Sequence, residues 1–191
     1  MNRLVQAVIA VIVLPYFLLY WVLSLLVSDK DSLWQAFTQY LSLFPGKLGS
    51  FLRVRFMYWT ATECHQETFI GFGALFSHCD TSIANGAYIG PQCNIGKCSI
   101  GTNTLLGSGV HILSGKNQHD FSDPDTPIKE QGGVFEKISI GENCWIGNGA
   151  IVMASVGDNS VIAAGAVVVN EVPAGGIVGG NPGKVIKQVG L

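Results

Sequence analysis

The chain has 191 residues and a formal net charge of −2, with only 13% of residues charged. That balance offers no basic field for a nucleic-acid backbone, and the length suits one compact repeat domain plus an appendage. The five cysteines are odd in number and form no CxxC pair, so they read as reduced thiols used as small core residues in a cytosolic compartment.

The appendage comes first. Leu4 to Val27 runs without a charge and carries only Gln6 and Ser24 as clearly polar residues. At ~1.5 Å per residue it would reach ~36 Å, longer than a hydrocarbon core of about 30 Å. A cleaved signal peptide does not fit: the run is too long, Arg3 alone marks a charged region, and Ser28-Asp29-Lys30-Asp31 is no small-residue cleavage site. Residues 1–31 therefore read as an apolar membrane helix. Pro15 can kink it, so a spanning helix and a re-entrant helix bent at Pro15 both stay open. The flanking charges do not choose between them.

Residues 32–65 read as an amphipathic helical linker. Ser32-Leu33-Trp34-Gln35 has the form of a capping box, and Leu33, Trp34, Phe37, Leu41 and Phe44 follow at helical spacing until Pro45-Gly46. From 47 to 59, Lys47, Arg53 and Arg55 lie among Leu48, Phe51, Leu52, Phe56 and Trp59. Such a segment suits either the headgroup boundary of a membrane or a helix packed across the base of the domain that follows.

That domain, residues 66–191, is written in a short period. An apolar residue followed by glycine recurs about every six residues, at Ile70-Gly71, Ile89-Gly90, Ile95-Gly96, Ile100-Gly101, Leu106-Gly107, Ile140-Gly141, Ile146-Gly147 and Val156-Gly157. Ile83-Ala84 and Ile162-Ala163 keep the phase. This period is too short for a helical repeat but suits a strand plus a corner, with the aliphatic side chain inside and glycine where a side chain would crowd. The expected fold is an all-β parallel β-helix.

The repeat halts at Ile112 and resumes at Ile138 or Ile140, and the polar loop is taken as 113–137. A solenoid that interrupts itself at such length is placing something functional there. The loop carries His119, one of four histidines, and imidazole is well suited to take a proton from a hydroxyl near neutral pH. His111 is the rival, read as an outward corner residue of the coil. His65 and His78 are assigned no catalytic role.

Together, these hexapeptide starts, the histidine-bearing loop, Ile140-Gly141-Glu142-Asn143-Cys144-Trp145-Ile146-Gly147 and Gly180-Asn181-Pro182-Gly183-Lys184-Val185-Ile186 resemble the left-handed β-helix acyltransferases. The resemblance covers residues 66–189. It is nearest to the galactoside and maltose, xenobiotic and exopolysaccharide O-acetyltransferases. It implies the left-handed coil and a homotrimer with active sites in clefts between neighbouring coils. It also implies acetyl-CoA as cosubstrate, no permanently bound cofactor or metal, and His119 as general base. Trp145 and Asn148 match positions that flank the pantetheine arm. Ala164-Gly165 match a backbone that lines the groove, and Lys184 matches a basic residue near the nucleotide phosphates.

The chain departs from the family pattern in places. Val169-Asn170 stands where many relatives carry a hydroxyl residue and a lysine, with Lys187 as a possible substitute. Gln118 separates Asn117 from His119, whereas xenobiotic acetyltransferases join the two directly. Val152 to Val156 also skips residues of the repeat.

The expected function is an O-acetyltransferase acting on a hydroxyl of a glycan or lipid-linked sugar in polysaccharide biosynthesis. The expected location is the inner membrane, with the catalytic domain facing the cytoplasm. One alternative is an acyl-carrier-protein-dependent acyltransferase on a lipid or nucleotide sugar, and another is a non-catalytic scaffold. A γ-type carbonic anhydrase would need three histidines converging on zinc, which the spacing of His78, His111 and His119 does not supply.

Overall fold

The computed structural model describes residues 3–190, as three helices followed by a coil of short strands. Helix α1 (Arg3–Ser24) is continuous through Pro15. Helix α2 (Lys30–Ser42) is capped by Asp29 and not by Ser32. The Asp29 carboxylate accepts the Ser32 amide at 3.0 Å and its hydroxyl at 2.6 Å. A full negative charge at a helix N-terminus is a better partner for the first-turn amides than a serine hydroxyl. The same hydrogen bonds hold the Asp29 carboxyl below its usual range.

Helix α3 (Gly46–Thr60) is packed across the base of the coil, against its first two strands. Arg53 and Arg55, expected to be candidates for lipid headgroups, are both buried, and of the segment's three cations only Lys47 is exposed. The end of a solenoid leaves a strand with unpaired carbonyls and an uncovered core, and both need partners. Arg53 turns inward to meet them, while Phe56 and Met57 cover the apolar side.

The coil climbs in triangular turns. The first holds β1 (Glu63–Cys64), β2 (Phe69–Ile70) and β3 (Leu75–Phe76); the second β4 (Ser82–Ile83), β5 (Tyr88–Ile89) and β6 (Asn94–Ile95). The third holds β7 (Cys98–Ile100), β8 (Leu105–Leu106) and β9 (His111–Ile112); the fourth β10 (Ile138–Ile140), β11 (Trp145–Ile146) and β12 (Ile151–Val152). Two further turns follow with β13 (Val161–Ile162), β14 (Val167–Val168) and β15 (Gly176–Gly179). The last strand, β16 (Lys184–Gln188), folds back antiparallel on β15. The coil thus begins at Glu63, inside the stretch read as linker, because Cys64 already stacks beneath Ile83.

Equivalent strands form three parallel faces. Face A stacks β1, β4, β7 and β10, then continues through the single bridges of Val156 and Val172. Face B stacks β2, β5, β8, β11, β13 and β15, and face C stacks β3, β6, β9, β12 and β14. The skipped residues after Val152 are a tighter C-to-A corner. Val156 bridges Ile140, and equivalent positions such as Glu142 and Asp158 lie 16 residues apart from there on.

The glycine after each aliphatic residue is there for clearance. A Cβ on Gly147 would collide with the backbone of Ala164 in the next turn, although Gly147 itself has no positive φ. The left-handed positions fall later in the corner, at Asn103, Asn143 and Asn159 with φ of 58, 52 and 57°, residues that tolerate that region.

Cys64, Cys93, Cys98 and Cys144 are buried and all five cysteines are free. Burial pushes the Cys98 thiol up to about 12, so it behaves as a small core hydrophobe.

Candidate active site

Every C-to-A corner is short except the third, where residues 113–137 leave the coil as a two-legged arm. Backbone bonds tie the legs together: Glu136 N–H donates to Ser114 at 2.9 Å, Val134 to Asn117 at 2.8 Å and Asp120 to Gly132 at 3.0 Å. Gly133 makes the narrow pairing possible. It sits at φ 149° against the Gln118 carbonyl, where any Cβ would clash.

At the tip Asp123 accepts the Asp125 amide and the Thr126 hydroxyl, at 2.9 and 2.7 Å. The Gln131 side chain braces the Asp123 and Thr126 carbonyls, both at 2.7 Å. The Thr126 hydroxyl and neighbouring amides hold the Asp123 carboxyl below its usual range. That carboxylate is therefore engaged in building the tip.

His119 lies on the outgoing leg, exposed, with its ring edge-on to Phe135 of the returning leg at 6.4 Å. Phe135 also packs against His78 at 5.3 Å, and His78 Nδ1 lies 2.9 Å from the Ser77 hydroxyl. His78, given no role from sequence, thus supports the arm from the first C-to-A corner.

The foot of the arm is pinned electrostatically. Asp80 receives Lys137 at 2.6 Å and Lys97 at 3.2 Å, and Lys137 also donates to the Ser82 hydroxyl at 3.1 Å. These lysines hold the Asp80 carboxyl below its usual value of 3.8. A depressed carboxylate stabilises the fold above that value and loses the contribution as pH falls through the folded-state pKa. The group is half-exposed, so Asp80→Asn should change global stability by under ~1 kcal/mol. Its larger effect should be on the arm, read as faster amide hydrogen exchange at residues 134–137 while the face B strands stay protected.

His111 is not a corner residue. It is the outward residue of β9 on face C, between Asn94 below and Ile151 above. With Ser77, Asn94, Ser114 and Gln118 it lines a hollow of about 200 Å³ beside the arm. Asn94 was not singled out from sequence. Its signal was the repeat phase, which puts it one turn beneath His111 and facing the same way.

The four residues expected at the donor groove from Trp145 to Gly165 fall on or beside another edge of the prism. Trp145 points outward from face B, exposed, between Leu105 and Val161. Asn148 follows at the B-to-C corner, where its side-chain oxygen accepts the Ser108 amide at 3.0 Å and its carbonyl accepts the Gly165 amide at 2.9 Å. Ala164 and Gly165 are exposed at the same corner one turn higher. Lys184 pairs with Gly179, which lies beside Ala163, so the β16 backbone extends this edge by another step. One edge therefore carries Asn148, Ala164 and Gly165, with Trp145 on the adjoining face and Lys184 at the far end.

His119 belongs to the C-to-A edge, and face C separates it from the B-to-C edge. Among the described residues no group of three or more His, Cys, Asp or Glu is placed to hold a metal ion.

Comparison with known proteins fits this architecture. The family profile described as the hexapeptide repeat of succinyl-transferase matches residues 137–169, the interval containing Trp145, Asn148, Ala164 and Gly165. Nodulation protein L of Rhizobium meliloti (strain 1021) is 38% identical over 130 residues, covering 61% of this chain and 68% of that protein. The fold is that of a maltose O-acetyltransferase from Clostridium difficile 630, with a TM-score of 0.73, 22% identity, and 85% and 88% of the two chains covered. A galactoside acetyltransferase in complex with coenzyme A shares it at a TM-score of 0.53 and 19% identity, covering 84% of this chain and 81% of that one. The chain belongs to the hexapeptide-repeat acyltransferases.

Proposed function

We propose that the protein is an acetyl-CoA-dependent O-acetyltransferase whose acceptor is a hydroxyl of a glycan or lipid-linked sugar, with His119 as general base. The observation that carries this reading is the arm 113–137. The coil departs once from its short corners, and there it holds an exposed imidazole outside the core on a hydrogen-bonded hairpin. The galactoside acetyltransferase solved with coenzyme A supports the choice of donor.

In the reaction His119 removes the acceptor proton as the hydroxyl oxygen attacks the thioester carbonyl. The tetrahedral intermediate collapses with loss of the thiolate, which takes the proton back from the imidazolium. The products are an acetyl ester and free CoA thiol. A backbone amide beside the cleft would stabilise the oxyanion.

The donor is assigned to the B-to-C edge, with the pantetheine arm beside Trp145, Asn148 and Ala164-Gly165 and the nucleotide phosphates toward Lys184. That edge and His119 flank opposite sides of face C, so a site using both is naturally completed between two copies of the coil. A homotrimer satisfies this by setting each arm against a neighbour's donor edge. Helix α1 would hold the enzyme at the inner membrane near a lipid-linked acceptor, with the coil in the cytoplasm.

Acetyl-CoA should bind without acceptor. Ala164→Trp, a change at an exposed corner residue, should weaken binding at least ~10-fold by calorimetry, a loss of about 1.4 kcal/mol, with the fold unchanged. Equal affinity in the two proteins would move the donor off this edge. Failure of the parent trimer to bind CoA would favour an acyl carrier protein as donor.

A further inference from the structure

The way α1 is fastened to the rest of the molecule fixes how it can meet a membrane. One stripe of the helix, through Ile9, Val13, Tyr16 and Tyr20, is packed on α2 and α3. The Tyr16 hydroxyl donates to the Phe37 carbonyl at 2.9 Å, and Arg55 donates to the Gln6 carbonyl at 3.4 Å. Phe17 lies against Trp59 at 5.1 Å, and Leu23 still touches the core. The attachment therefore extends from Gln6 to Leu23, nearly the full length of the helix. Helix α3 is in turn packed on β1 and β2, and α2 on β3.

From Val8 to Val22 the opposite face packs on neither α2 nor α3 among the described residues. Val8, Val11, Ile12, Leu18, Leu19 and Val22 are exposed, Val11 by 71%, and no charge interrupts them. Contiguous apolar surface of this extent marks an interaction site. Its borders identify the occupant. Tyr40, 55% exposed, stacks on Tyr16 along one flank, and exposed Tyr58 stands beside Arg55 on the other. Trp21 is exposed near the end. Rings with one polar atom, set along the margins of an uncharged apolar strip, match the boundary between acyl chains and headgroups.

A helix fastened along its length to a coil-bound cap cannot cross the bilayer without drawing in α2, whose N-terminal end carries Lys30, Asp31 and Ser32. Ionised side chains at that depth are expensive. We infer that α1 lies in the plane of one leaflet as a monotopic anchor, with its outward face among acyl chains and α2 and α3 above it. The coil then stands on the membrane at its first turn. At roughly 4.8 Å per turn the arm leaves it ~15 Å above the cap. This inference rests on the membrane-anchored reading above and replaces a spanning helix with a surface-lying one.

The test places single spin labels on the full-length chain at Val8→Cys, Ile12→Cys, Leu19→Cys and Val22→Cys, in a Cys79→Ser background, reconstituted in vesicles of mixed zwitterionic and anionic phospholipid. Depth is read from relaxation by oxygen against a water-soluble nickel complex. In-plane insertion gives all four labels similar depths, within about 5–10 Å of the headgroups. A spanning helix gives a gradient that passes through the bilayer centre, ~15 Å deep, and would overturn the orientation while leaving membrane attachment intact. Oxygen-inaccessible labels with spin–spin broadening would assign the face to a second copy of the chain and overturn the proposal. Failure to bind vesicles would overturn both the proposal and the anchor itself, whereas CoA binding by the same preparation would show that the transferase reading survives.

Discussion

Replacing His119 with alanine should reduce acetyl transfer by ~10²–10⁴-fold, the usual effect of removing a general base. Donor affinity should stay within about twofold, since a group that acts on the acceptor proton adds little to donor binding. The side chain is exposed and makes no hydrogen bond within the hairpin, whose backbone pairing runs through Asn117, Asp120, Gly132 and Val134. The variant should therefore fold and keep its arm. His111→Ala is the informative partner because His111 faces outward from β9, in the hollow that Gln118 also lines. It should keep far more activity, with any change falling mainly on KM for the acceptor. The measurement is release of CoA thiol with acceptor present, alongside calorimetry with acetyl-CoA. An active His119→Ala beside an inactive His111→Ala would transfer the base to face C and redraw the site around Asn94 and His111.

The coil was legible because its period comes from packing. Each inward aliphatic residue must stack on the one a turn below, so Ile146 lies between Leu106 and Ile162 and the sequence repeats the requirement. The arm was legible as the place where that requirement lapses. What escaped sequence reasoning depends on three-dimensional pairing that carries no period. The cap on α2 passed to Asp29 because a carboxylate stands three residues ahead of the serine that the pattern suggested. His111 was assigned to a corner although its place just before Ile112 repeats the outward strand position of Asn94 before Ile95. Asp80 and His78 could not be tied to the arm, because Lys137 and Phe135 reach them only after three turns are wound. The linker's cations were ambiguous for a related reason. Helical spacing shows that Arg53 and Arg55 share a helix with apolar residues, but not which face meets the end of the coil.

Arg53 should prove to be a large single contributor to stability for a cation in this chain. Arg53 is 3% exposed, and its guanidinium donates to the Leu41 and Phe44 carbonyls at 3.0 and 2.8 Å, at the C-terminal end of α2. Its other nitrogens both reach the Ile70 carbonyl on the first turn of the coil, at 3.1 and 2.9 Å. One side chain thus satisfies the end of a helix and the open edge of a sheet, and it joins the helical cap to the coil. Burial pulls its pKa down to about 10, which leaves it protonated at neutral pH. Arg53→Met keeps much of the volume but leaves those buried carbonyls without a donor, at ~1–3 kcal/mol for each group not rescued by water. The expected loss is ~3–5 kcal/mol, typical of breaking a buried charged network. At ~2–4 °C per kcal/mol for a chain of this size, the melting temperature should fall by on the order of 10 °C. Arg53→Lys retains the charge but has no fork to reach α2 and β2 together, so it should fall between the two. Lys47→Ala, at the exposed start of the same helix, should stay within about 0.5 kcal/mol. Thermal unfolding in detergent, followed by far-UV circular dichroism, measures all three. Melting of Arg53→Met within a degree or two of the parent would mean that water satisfies these carbonyls and that the cap is held by Trp34, Phe56 and Met57 alone.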